Sequence, residues 1–133
     1  MSVSKPGGRR AHARKARGTA ARRAGLRGEW LAALWLMIRG YRILGFRLKT
    51  PQAEIDLLAY RAGVLAVVEV KRRQSLIAAL EAVGADQRGR LKRAGANLAA
   101  RRPGLAGAAV RLDLMALAPG RLPRHIPDAW KDT

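Results

Sequence analysis

The 133-residue chain carries 27 Lys/Arg against nine Asp/Glu, a formal net charge of +18, and about half of it (49%) is apolar. That length gives one domain with one modest core, and so large a cationic excess points to a polyanionic partner, of which nucleic acid is the usual one. The absence of cysteine excludes disulfides, thiolate zinc sites and cysteine nucleophiles, and no apolar run approaches the ~20 residues that cross a bilayer.

Charge alone does not separate a nucleic-acid enzyme from a ribosomal or membrane-surface protein. His12 and His125 are the only histidines, too few for a histidine-rich metal site. The N-terminal arginines precede no apolar core and no cleavage pattern of a signal peptide, so the sequence reads as soluble and cytoplasmic, without a membrane partner.

Residues 1–28 hold nine Lys/Arg and no acid. A segment of this composition buries little apolar surface and is expected to be disordered alone. Residues 1–24 are therefore read as a tail, either solubilising or a basic arm on the phosphate backbone, and residues 25–133 as the folded domain.

A first helix is predicted over 25–39, with Leu26, Trp30, Ala33, Leu34, Met37 and Ile38 at helical spacing on one face and Gly40 beyond its end. Trp30 and Trp35 read as core residues. Strands follow at 41–48, where Gly45 is a weak point or bulge, at 53–61, and at 64–71 after the short Ala62-Gly63 turn. A short helix is expected at 75–83. A longer one over 86–102 starts at an Asp86 cap and is weakened at Gly89 and Gly95 by ~1 kcal/mol each. A strand at 108–118 ends at Pro119-Gly120, and residues 122–130 are left as a segment that packs back at an edge. The order α-β-β-β-α-β defines an α/β fold with a mixed central sheet flanked by helices.

The chemistry concentrates in residues 54–73. VLAVV (64–68) is a continuous apolar run, the mark of a strand covered on both faces, yet it leads into Glu69 and Lys71. With a two-residue turn at Ala62-Gly63, Arg61 pairs with Val64. Counting back then sets Leu57 opposite Val68, Asp56 opposite Glu69 and Glu54 opposite Lys71. Alternation places all four charged residues on one face. Carboxylates with Cβ atoms ~5 Å apart repel unless one is protonated or a cation lies between them, which suits Mg²⁺ or Mn²⁺. The alternative is a charged hairpin end in which Lys71 bridges its acidic neighbours.

An Asp followed by Glu-x-Lys on the adjacent strand resembles the signature of PD-(D/E)XK nucleases. In detail the chain is similar to the bacterial YraN-like proteins, a branch related to archaeal Holliday junction resolvases. The similarity is carried by RGEWLAALWL (27–36), RGYRIL (39–44), AEIDLLA (53–59), VVEVKRR (67–73), the region 82–94, VRLDLMAL (110–117) and HIPDAW (125–130). Gln52-Ala53 stand where these proteins usually have Gly-Gly.

The resemblance implies a restriction-endonuclease-like core, Asp56 and Glu69 as ligands of Mg²⁺ or Mn²⁺, and Lys71 as the motif lysine. It also implies Glu29 and Gln87 as further site residues. The implied activity is metal-dependent hydrolysis of nucleic-acid phosphodiesters, with DNA, including branched or repair intermediates, as the substrate. A homodimer is left open by the resolvase relatives. Arg72 and Arg73, directly after the motif, and Arg88, Arg90, Lys92 and Arg93 on the long helix are candidate phosphate contacts. The competing readings are a solvated helix face for those cations and, for Glu29, an acid that favours the helix dipole by ~0.5 kcal/mol. Gln87 is alternatively an ordinary first-turn residue. Asp113 reads as structural and paired with an arginine, and His125 as a packed residue. A non-catalytic basic nucleic-acid-binding protein with the same fold is the alternative function.

Overall fold

A computed structural model describes residues 27–131; the predicted tail lies outside them. The order is α1 (residues 27–38), β1 (Arg42–Lys49), β2 (Glu54–Arg61), β3 (Val64–Arg72), α2 (Leu76–Glu81), α3 (Ala85–Arg101), a 3-10 turn (Pro103–Leu105), β4 (Ala109–Leu117) and β5 (Arg124–Ile126). The five strands form one open mixed sheet in the order β1-β2-β3-β4-β5. Only the β3–β4 pair is parallel, and α2 and α3 make the crossover that a parallel pair requires. The architecture is compatible with the restriction-endonuclease-like core expected from the sequence. No helix among the described residues is long and apolar enough to cross a membrane.

The apolar run of β3 is covered on both sides. Leu65 and Val67 pack with α2, α3 and β4 residues such as Leu91, Ala94 and Leu114. Ala66 and Val68 pack with Ala32, Ala33 and Leu36 of α1. The sheet is thus the middle of three layers. Ala62 and Gly63 both have positive φ (50° and 81°), the two-residue turn that matches strand twist, and the register begins at Arg61↔Val64 as counted. The weak point at Gly45 is a register shift between Ile43 and Gly45. The C-terminal segment supplies β5, paired with the edge of β4.

Of the expected α1 stripe only Ala33 is buried, and Leu26 lies outside the described residues. Glu29, Ala32, Ala33 and Leu36 face the sheet, while Trp30 (61% exposed), Leu34, Met37 and Ile38 (72%) face outward. Trp30 leans on Phe46 with ring centroids 4.9 Å apart rather than entering the core. The helix carries two apolar stripes, and the one with small residues is buried because it lets the helix lie close to the sheet. A Cβ on Gly28 would meet Leu117 Cδ1 at 3.2 Å. The start of α3 also differs: Gly84 is the N-cap, with no side-chain cap, and Asp86 falls in the first turn.

A second buried polar group ties β4 to the C-terminal segment on the α1 side. Asp113 is fully buried and receives Arg111 Nε at 2.7 Å and Arg111 Nη2 at 2.8 Å. It also accepts the Asp128 N–H at 3.0 Å and lies 2.8 Å from His125 Nε2. Arg111 Nη2 also donates to Tyr41 Oη at 2.8 Å. Burial pushes the Asp113 carboxyl up, but hydrogen bonds from His125, Arg111 and the Asp128 amide outweigh it and hold it below its usual value. Every Asp113 contact is internal, which makes the group a structural tie.

Gly95 sets how closely α3 approaches the sheet. A Cβ there would stand 2.6 Å from Val67 Cγ2 and 2.9 Å from Val110 Cγ1, and β-branched side chains in a buried strand have little freedom to yield. Alanine gains ~1 kcal/mol of helix propensity and loses about 1–3 kcal/mol to overpacking. Gly95→Ala should therefore lower the denaturant midpoint. Gly89→Ala, which meets only the flexible end of Arg93 at 3.4 Å, should raise it. Equilibrium urea unfolding of the two variants checks both signs.

Candidate metal and phosphate site

The ladder between β2 and β3 runs from Arg61↔Val64 to Leu57↔Val68 and stops one pair before Asp56 and Glu69. There the Asp56 carboxylate, not a backbone carbonyl, accepts the Val70 N–H at 2.8 Å. The strands part where two opposed carboxylates would otherwise be forced together. The expected Glu54–Lys71 pair therefore does not form: Glu54 stays with β1, opposite Lys49, and Lys71 turns to Glu69, with Nζ 3.6 Å from Oε2.

Glu69 is the centre of the arrangement. It is 3% exposed, and its Oε2 accepts Gln87 Nε2 at 2.9 Å from the first turn of α3. Its other oxygen, Oε1, is buried with no hydrogen-bond partner. Burial first, and then the neighbouring Asp56 charge, push its carboxyl up to about 8, against a smaller opposing pull from Lys71. The site thus contains a carboxylate that the protein's own groups do not fully compensate, beside a second carboxylate.

Glu29 reaches the same end of the sheet through Arg47. Its two oxygens lie 2.9 and 2.8 Å from Arg47 Nε, and the Arg47 guanidinium also feels the charges of Glu54 and Asp56. Arg47 has φ 47°, a conformation that costs a non-glycine residue energy and recurs at functional sites. The left-handed residue reverses the alternation of β1, so that Phe46 packs on the α1 side and Leu48 on the α3 side. Sequence reasoning did not single out Arg47, because neither its backbone conformation nor its pairing with a residue eighteen positions earlier leaves a local signal.

The cations named from the sequence divide. Arg72 and Arg73 follow the motif and are exposed, as are Arg90, Lys92 and Arg93 on α3. Arg88 is committed internally: its Nη1 donates to Val83 O at 2.7 Å and its guanidinium lies 5.7 Å from the Trp130 ring. Asp56, Glu69, Lys71 and Gln87 are brought together, with Glu29 one arginine away.

The donor set fits a hard divalent ion that keeps much of its water shell. Among the described residues no group of three or more His, Cys, Asp or Glu gathers into a metal cage. Mg²⁺, however, usually keeps several waters and takes only one or two carboxylates together with substrate phosphate. Two adjacent carboxylates, one with an unpartnered buried oxygen, match that pattern.

Fold and site together define a mixed α/β protein whose central strands hold a carboxylate pair and a lysine at one end of the sheet, with a glutamine of α3 set against them. Residues 28–117 match the family described as Uncharacterised protein family UPF0102, and the chain belongs to this family, that of the YraN-like proteins. It is 64% identical over 120 residues to a UPF0102 protein of Caulobacter vibrioides (strain NA1000 / CB15N), covering 90% of this chain and 96% of the relative. A UPF0102 protein of Caulobacter sp. (strain K31) is 70% identical over 95 residues, 71% of this chain and 68% of the relative. UPF0102 protein amb4503 of Paramagnetospirillum magneticum is 50% identical over 98 residues, covering 71% and 76% respectively.

The raised Glu69 carboxyl fixes the sign of a pH effect in metal-free protein. The folded state holds this proton more tightly than the unfolded chain, so the stabilisation is complete below about 4.5, falls as pH rises, and levels off above about 8, a loss on the order of a few kcal/mol. Glu69→Gln should flatten this part of the stability–pH curve. Urea midpoints from pH 5 to pH 9 in EDTA, compared between the two proteins, give the test; parallel curves would contradict the assignment.

Proposed function

We propose that this protein is a metal-dependent nuclease of the PD-(D/E)XK superfamily that hydrolyses phosphodiesters in DNA, with Mg²⁺ or Mn²⁺ as its cofactor. The observation that carries the reading is the buried, unpartnered Glu69 Oε1 beside Asp56, with Lys71 directed at the same carboxylate. Left ionised, such an oxygen costs stability; a proton shared with Asp56 or a bound cation relieves it, and the cation also accounts for the lysine beside the pair.

In this reading Asp56 and Glu69 hold the ion, which when bound supplies Lewis-acid polarisation of a phosphate oxygen and a more acidic water. The Val70 amide fixes the orientation of Asp56 by its 2.8 Å hydrogen bond. Gln87 does the same for Glu69 and leaves Oε1 as the free face of that carboxylate. Lys71 is partly exposed, 23% at its side chain. It orients the attacking water or offsets charge growing on the phosphorane. Glu29 acts through Arg47, holding a cation close to Asp56. Arg72, Arg73 and the exposed cations of α3 steer the polyanion to the site.

A second reading, a nucleic-acid-binding protein without turnover, is favoured by one feature: Lys71 and Gln87 already lean on Glu69 and partly compensate it. Incubation of purified protein with duplex, single-stranded, flap and four-way DNA in Mg²⁺ or Mn²⁺ separates the two. Asp56→Asn, Glu69→Gln and Lys71→Ala should each lower the cleavage rate on the order of 10²–10³-fold, and Gln87→Ala by roughly 10–100-fold. Salt-sensitive binding without metal-dependent cleavage establishes the second reading. Cleavage that survives both carboxylate substitutions overturns the first.

A further inference from the structure

The connection between β4 and β5 lies at the same end of the sheet as the carboxylate pair, and nothing above uses it. Ala118, Pro119, Gly120 and Arg121 form a turn closed by Arg121 N–H to Ala118 O at 3.2 Å. Gly120 has φ 69°, and Pro precedes it, the residue pattern of a type II turn. Pro123, which follows Leu122, is buried and restricts the backbone there. Between these anchors Leu122 is 73% exposed. A large apolar side chain held outward by a proline-braced turn is preorganised for contact rather than left over from the core.

Its surroundings are cationic. Arg73, Arg121 and Arg124, with Leu76, Leu117 and Leu122, line a small cleft of about 50 Å³. Among the described residues none of the three arginines has an acidic partner. Three guanidiniums at the rim of so small a cleft suit a phosphate group rather than a nucleobase. The ladders place it precisely enough to matter. Lys71 pairs with Ala116 on β4, and Ala116 pairs with Arg124 on β5. Arg124 is therefore on the same face as Lys71 and two strand spacings away, roughly 10 Å. A backbone passing over Lys71 reaches the arginine cleft within one or two phosphates.

Resting on the nuclease reading above, we propose that Leu122 is a wedge that enters the base stack of duplex DNA next to the scissile phosphate while Arg73, Arg121 and Arg124 hold a neighbouring phosphate. Apolar side chains flanked by arginines unstack and kink duplexes in this way, and the energy required is least where a step is already disturbed. The preferred substrate class is then duplex DNA containing an unstacked step, such as a mismatch, a nick or a branch point.

The test uses full-length protein in EDTA and a duplex carrying 2-aminopurine, whose fluorescence rises when it unstacks. Wild type should raise the signal severalfold on binding. Leu122→Ala should abolish the rise while changing affinity less than about threefold, and should bind a mismatched duplex as wild type does. Arg121→Ala/Arg124→Ala should weaken binding at least about tenfold and reduce the slope of log affinity against log salt by about one. A wild type that binds with no fluorescence rise, or a Leu122→Ala protein that keeps it, overturns the wedge. So does a Leu122→Ala protein with unchanged DNA behaviour and a lower oligomeric mass, which would make Leu122 a protein contact. Metal-dependent cleavage without unstacking leaves the nuclease reading standing and removes the wedge; unstacking without cleavage does the reverse.

Discussion

The arrangement depends on a carboxylate buried where it is not fully compensated. Glu69 lies near the end of β3, after residues packed on both faces, and its side chain is only 4% exposed, so bulk water screens its charge little. Register then brings Asp56 beside it. Burial and a like charge act in the same direction on Glu69, and neither Lys71 nor Gln87 removes the cost. A stable fold tolerates this only if the rest of the domain over-determines the geometry. The two-sided core, the close approach at Gly95 and the internal tie around Asp113 provide that rigidity.

The two buried acids of the sheet show how differently the same residue type is treated. Asp113 is enclosed by Arg111, His125 and the Asp128 amide, and its carboxyl is held below the ordinary value. Glu69 is comparably buried, keeps one oxygen free, and is pushed far above it. Asp113 satisfies its charge internally, whereas Glu69 is kept in deficit beside a second carboxylate, the deficit that the proposed cation would fill.

Much of this was legible in the sequence because two strong local rules meet in residues 54–73. A two-residue turn fixes register, and a two-residue side-chain period fixes faces, so the Leu57–Val68 pairing follows from counting. The count overshot at the ends: it carried the ladder on to Glu54 and Lys71, whereas the carboxylate of Asp56 takes over the hydrogen bond of Val70 and the strands part. Helix α1 was misread for a different reason. The expected stripe is the more apolar of the two, and the choice is made instead by the small size of Gly28 and Ala32 against the sheet, a tertiary fact. Arg47 was invisible for the same kind of reason, since its left-handed backbone and its bond to Glu29 arise only once α1, β1 and β2 are assembled.

The central claim, that Asp56 and Glu69 form one divalent-cation site, is tested most directly by titrating Mn²⁺ into the purified protein and following paramagnetic broadening of backbone amide resonances. The account predicts saturable broadening centred on Val70 and the residues flanking Asp56 and Glu69, displaced by excess Mg²⁺ and lost in Asp56→Asn and in Glu69→Gln. Broadening that is absent from this end of the sheet, or that persists in both variants, would contradict it.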